Sequence, residues 1–77
     1  MIKHIKHSPK HVPWVTYKEW DNFYQIKSQD DAFVKIQWCK DNIVPDDWTM
    51  SLGGEMYYFL KYSDAIMFEL RWENNHD

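Results

Sequence analysis

Three histidines, His4, His7 and His11, fall at i, i+3 and i+7 near the start of the sequence. On a helix that spacing sets three imidazoles along one side, a donor set that zinc or nickel accepts. Pro9 interrupts such a helix, and no acid lies among residues 1–18. The histidines are therefore expected to belong to a basic segment that titrates near neutrality, with no metal site. Cys39 is the single thiol. A nucleophilic thiolate needs a helix N-terminus or a cationic neighbour. Cys39 instead falls near the C-terminal end of a predicted helix, on its apolar side, so a buried structural thiol is expected. Asp30–Asp31 and Asp46–Asp47 are acid pairs of the kind that hold a divalent ion or share a proton. The first pair stands where helix starts favour carboxylates and the second in a turn. Neither has a histidine or third acid at ligand spacing. Gly53 and Gly54 are the only glycines and mark a turn, not a phosphate loop. No Ser–His–acid order stands out. The expectation is a binding protein with no catalytic residues and no cofactor.

The aromatics carry the remaining signal. Five Trp, five Tyr and four Phe make up 18% of 77 residues. Each ring can bury roughly 150–250 Å², which supplies core material that so short a chain needs in the absence of a disulfide. Trp14, Tyr17 and Trp20 recur at i, i+3 and i+6, and Tyr57, Tyr58, Phe59 and Tyr62 cluster later. Most rings should fill the core. Two helices on one sheet face cannot shelter them all, so exposed rings are expected among Trp14, Tyr17, Trp20, Tyr57 and Tyr62, as a partner site.

The elements that must position these residues follow from pattern. Residues 1–13 form a basic arm or a short edge strand, with Lys3, Lys6 and Lys10 but no acid. Trp14–Trp20 is β-branched and aromatic, hence extended. In Phe23–Lys27 the alternation sends Phe23, Gln25 and Lys27 to one side and Tyr24 and Ile26 to the other. Ser28 is the expected N-cap of a helix with Asp30 and Asp31 in its first turn. Ala32, Ile36, Cys39 and Ile43 form its inner stripe, widened by Phe33, and Pro45 ends it. Trp48–Leu52 and Glu55–Lys61 read as a hairpin about Gly53–Gly54, both of which tolerate positive φ. Strand 55–61 has large apolar groups on both sides and belongs in the middle of the sheet. Ser63–Trp72 fits a strand or a helix. The helix is favoured, with Ser63 as cap and Ala65, Phe68 and Trp72 inward. A shift of 34 residues, which sets Tyr24 on Tyr58, Asp30 on Asp64 and Trp38 on Trp72, echoes strand–cap–helix in both halves. Residues 74–77 are a polar tail after a single domain over 14–73. The expected fold class is α+β: a two-layer sandwich of order β(β)αββα, an antiparallel sheet with two helices on one face. It is a ferredoxin-like variant whose last strand is absent or replaced by the N-terminal segment.

Charge and cysteine use narrow the function classes. The net charge of −3 divides into +4 over residues 1–18 and −7 over the remainder. An acidic body is not the footprint of a general nucleic-acid binder. One unpaired cysteine, no signal-peptide pattern and no apolar run near ~20 residues point to a cytoplasmic protein with no membrane span.

The stretch Tyr57–Trp72, with Asp64, Ala65, Phe68, Leu70, Arg71 and Trp72, resembles small accessory proteins of tailed bacteriophages. These end in an aromatic strand, an Asp-Ala and a Phe-x-Leu-(Lys/Arg)-Trp helix. The Trp38–Cys39 pair fits as well, whereas Asn42–Pro45 departs from the glycine-containing turn of that group. The resemblance covers about half the chain and rests on packing residues. It implies an early-expressed protein of the host cytoplasm that binds and inhibits a host protein, a defence factor or nucleic-acid enzyme. Trp14, Tyr17, Trp20, Asp46 and Asp47 are the expected contacts. The alternative is a single-stranded nucleic-acid binder in which Lys3, Lys6 and Lys10 grip phosphate and Tyr57 stacks on a base. Self-association through an exposed edge strand, giving a homodimer, is a third possibility.

Overall fold

The computed structural model describes residues 2–6, 11–12 and 15–72. Six strands and two helices follow one another. They are β1 (Ile2–Lys6), β2 (His11–Val12), β3 (Val15–Glu19), β4 (Asn22–Lys27), α1 (Ala32–Asn42), β5 (Trp48–Met50), β6 (Met56–Phe59) and α2 (Tyr62–Trp72). A 3₁₀ turn, Pro45–Asp47, leads into β5. One sheet has the order β1-β4-β6-β5 with every neighbouring pair antiparallel, and β2 pairs with β3 in a separate ribbon. The expected α+β class holds. Strand β6 is central as its two-sided apolar pattern required, and the N-terminal segment supplies an edge strand rather than a free arm.

Register decides which side chains meet. Tyr24 pairs with Phe59 and Ile26 with Tyr57, so these four face one way, with Ile2 of β1 opposite Ile26. Both helices pack on that face. Ile26, Cys39, Ile43, Tyr57, Phe59, Ala65 and Phe68 form its buried core, with Ile36, Trp38, Trp48, Met50 and Trp72 around them. Phe68 is the hub: its ring lies 4.8 Å from Tyr57, 5.2 Å from Phe59, 5.1 Å from Trp72 and 6.0 Å from Trp38. The expected inner stripe of α2 is observed, although the helix begins at Tyr62, so Ser63 lies inside it.

The opposite face is not left open. Val12, from the ribbon, is buried with Phe23 and Tyr58, and Ile5, Trp20 and Met56 close around them. Phe23 meets Tyr58 edge-on at 5.9 Å. The ribbon thus shelters rings that the helices do not reach.

Helix α1 departs most from expectation. Ser28 is not its cap, and the first turn contains no acid. Asp31 occupies the cap position in the left-handed region (φ 56°), and no side chain caps the helix. Phe33 is 86% exposed rather than part of the stripe. With about 100° between successive residues, Phe33 stands roughly 120° from Cys39, whereas Lys35 stands only about 40° away. Lys35 therefore takes the inward position and is buried. The helix ends as Ile43 N–H donates to the Cys39 carbonyl (2.9 Å) and the chain turns extended before Pro45.

The β5–β6 connection is longer than a two-residue hairpin. Ser51 N–H donates to the Met56 carbonyl (2.9 Å) and Gly54 N–H to the Ser51 carbonyl (3.0 Å). Of the two glycines only Gly54 takes positive φ (71°). A Cβ there would stand 2.9 Å from the Ala32 Cβ, so this glycine lets the turn close on the start of α1. The echo between the halves is one of element order alone. Tyr24 faces the helices but its counterpart Tyr58 the ribbon, and Val34 is exposed whereas Phe68 is buried.

Candidate partner-binding surface

The expected site residues separate into three groups. Trp14 and Lys10 lie outside the described residues, and of Tyr17 the backbone in β3 is described. Trp20, Asp46 and Asp47 are brought into one neighbourhood. The Lys18 ammonium stands 5.4 Å from the Trp20 ring and donates to the Asp46 carbonyl (3.4 Å), tying the end of β3 to the 3₁₀ turn. Trp20 is half-buried, its ring tilted against Phe23 at 6.3 Å. The Asp46 side chain is exposed, but Asp47 is half-buried and pairs with Lys61 at 3.4 Å. The Asp64 carboxyl nearby is held above its usual range by burial first and by the Asp47 charge second, with Lys61 opposing.

Tyr57 is a correction. Its ring is fully enclosed on the helix face and cannot stack on a base. It is positioned by the pairing with Ile26, whose inward direction it shares. Its hydroxyl is buried with no hydrogen-bond partner among the described residues, and burial pushes its pKa up to about 12. Tyr58 is enclosed by the ribbon, and burial raises its pKa too. Tyr62 is exposed as expected (54%). It ends a run of rings in which His4 stacks on Tyr24 at 4.4 Å and Tyr24 meets Tyr62 at 5.3 Å. Lys3 and Lys6 are exposed along the edge strand.

Cys39 has the expected character. It is fully buried, and its thiol is pushed up to about 12, chiefly by burial and further by the Asp64 charge. It is a core residue, packed with Ile26, Ile43 and Phe68. His4 sits in a strand, so helical spacing does not apply to it, and no cluster of three metal-ligating side chains exists among the described residues. No helix of the described residues is long and apolar enough to cross a membrane.

The most exposed large apolar groups escaped the sequence pattern. Phe33 is 86% and Leu52 90% exposed. The close approach of Gly54 to Ala32 places the segments that carry Leu52 and Phe33 side by side. Val34, beside Phe33, is 55% exposed. The available signal was phase: Phe33 lies outside the arc set by Cys39, and Leu52 sits in a turn with no periodic partner. No family model, no curated protein and no solved structure matches the chain.

Proposed function

We propose that this chain is a protein-binding module whose contact is centred on Phe33 and Leu52. The observation that carries it is their near-complete exposure on two segments held together by the Gly54–Ala32 approach. Burying one such side chain in a partner is worth roughly 1.5–3 kcal/mol, enough to anchor an interface. The Trp20–Lys18–Asp46 neighbourhood is a second, more polar flank. The resemblance to phage accessory proteins supplies the sense of the interaction: occupying a surface of a host protein and inhibiting it. The strand order β1-β4-β6-β5 supports a ferredoxin-like variant in which the N-terminal strand stands where the last one would. The nucleic-acid alternative loses its sheet platform, since Tyr57 and Tyr58 are enclosed.

Two double variants separate the surfaces. Phe33→Ser with Leu52→Ser should abolish crosslinking to host proteins while thermal unfolding stays unchanged. Trp14→Ala with Trp20→Ala should leave the crosslinks in place. The opposite outcome moves the contact to the ribbon, and crosslinks indifferent to both pairs remove the proposal.

A further inference from the structure

The two ends of the four-stranded sheet are guarded unequally. At one end β1 carries the exposed Lys3 and Lys6, and charges of this kind keep an edge from recruiting another chain. At the other end β5 reads Trp48, Thr49, Met50, with no charge. Its inner hydrogen bonds fix which way each backbone group points. Leu60 N–H donates to the Asp47 carbonyl and Ser51 N–H to the Met56 carbonyl, both at 2.9 Å. Opposed residues of an antiparallel pair alternate between bonded and non-bonded. With Thr49 opposite Tyr58, the backbone groups of Asp47, Thr49 and Ser51 therefore turn towards β6, and the N–H and C=O of Trp48 and Met50 turn outward. No strand among the described residues pairs with them.

An opening of about 280 Å³ lies along this edge, lined by Lys40, Pro45, Trp48, Thr49 and Met50. Trp48 and Met50 are half-buried and pack against the helix-side core, so the opening has an apolar floor. The exposed Lys40, in the last turn of α1, gives it a positive wall. Neither Asp46 nor Asp47 lines it.

We propose that β5 binds an extended peptide as a fifth strand, with an apolar side chain seated in the opening and an acidic one two positions away, against Lys40. Side chains two positions apart share one face of a strand. The outward groups of Trp48 and Met50 supply main-chain hydrogen bonds, while the opening and the ammonium select the side chains. A second copy of the chain fits less well. Pairing β5 with itself about Thr49 would bring two Lys40 ammonium groups towards one axis, where like charges oppose the contact. This site does not rest on the contact centred on Phe33 and Leu52, and its test uses no host protein.

The probe is the capped peptide Thr-Glu-Thr-Leu-Thr-Glu-Thr, in which an acid stands two positions to either side of the leucine, so that strand direction is immaterial. Added to the isotope-labelled full chain, it should shift the amides of Trp48 and Met50 with a Kd of ~1 mM or tighter. The same peptide with Lys for Glu should bind several-fold more weakly, and Lys40→Glu should reverse that preference. Residues opposite each other in paired strands point the same way, so the leucine presents its own N–H to β5. N-methylation of the leucine should therefore abolish binding, and N-methylation of the threonine after it should not. Absence of shifts at ~5 mM peptide overturns the proposal, as does indifference to the leucine N-methyl group or equal binding of the two peptides. Sedimentation as a dimer that protects the Trp48 and Met50 amides overturns it in favour of a second copy.

Discussion

The two faces of the central sheet are closed by different means. On one, two eleven-residue helices lay Cys39, Ile43, Ala65 and Phe68 over Ile26, Tyr57 and Phe59. On the other, a ribbon whose paired strands are two and five residues long lays Val12, fully buried, over Phe23 and Tyr58. The helix face has a ring-on-ring hub with several partners for each member, so losing one member opens a cavity that the others cannot fill. Among the described residues the ribbon face has three buried members, Val12, Phe23 and Tyr58, and a half-buried rim. Stability should therefore reside mainly with the helices, while the ribbon can shift without unfolding the molecule.

Four measurements would break or sharpen this contrast. Phe68→Ala should have the largest effect, about 3–5 kcal/mol, against a total stability of roughly 4–12 kcal/mol for a chain of this size. Urea unfolding should show a fully or largely unfolded variant, and a midpoint near the parent's would shift the weight to the ribbon. Alkaline pH comes next. Cys39 and Tyr57 both have pKa values pushed up to about 12, from 9.0 and 10.0. The unfolded chain releases these protons first, so their contribution is fully present below about pH 9 and is lost as pH rises towards 12. The slope is at most ~1.4 kcal/mol per pH unit for each proton. The urea midpoint should fall as pH rises from about 9 towards 12, and less so in Cys39→Ala. Val12→Ala should cost about 1.5 kcal/mol by lost burial alone. Amide exchange should then quicken around Phe23 and Tyr58 before it does around Phe68. Uniform quickening would show the two faces to be one cooperative unit. Tyr57→Phe should be smallest and of opposite sign, stabilising by ~1 kcal/mol because it deletes a buried hydroxyl that has no partner among the described residues. A loss of stability would reveal a partner for that hydroxyl, such as an enclosed water.

Much of the helix face was legible because periodicity reports burial when residue type agrees with it. Ala65, Phe68 and Trp72 are apolar at helical spacing, and Cys39 stands on the stripe where a thiol is at home. The central place of β6 followed from its two-sided apolar pattern. The start of α1 was illegible for the converse reason. There the inward position carries a lysine and the outward one a phenylalanine, so type and phase disagree. Ser28 and Asp31 are common caps, yet Ser28 is bound to Lys35 and Asp31 turns left-handed. The burial of Tyr58 depends on Val12, distant in sequence, and no local pattern encodes that contact. As for the expected surface, Trp20 and Asp46 do share a neighbourhood, but through the backbone carbonyl that Lys18 finds, which composition does not reveal.

The strand order has a consequence for how the molecule comes into being. Strand β1 adjoins β4, β4 adjoins β6, and the hub ring belongs to α2. A nascent chain leaving the ribosome can pair β1 with β4 and lay Val12 on Phe23, but the helix-side core lacks its central ring until Phe68 has been made. Closure of the helix-side core thereby waits for α2, and a chain cut short before Phe68 would leave that face of the sheet open, prey for proteases and not a working fragment.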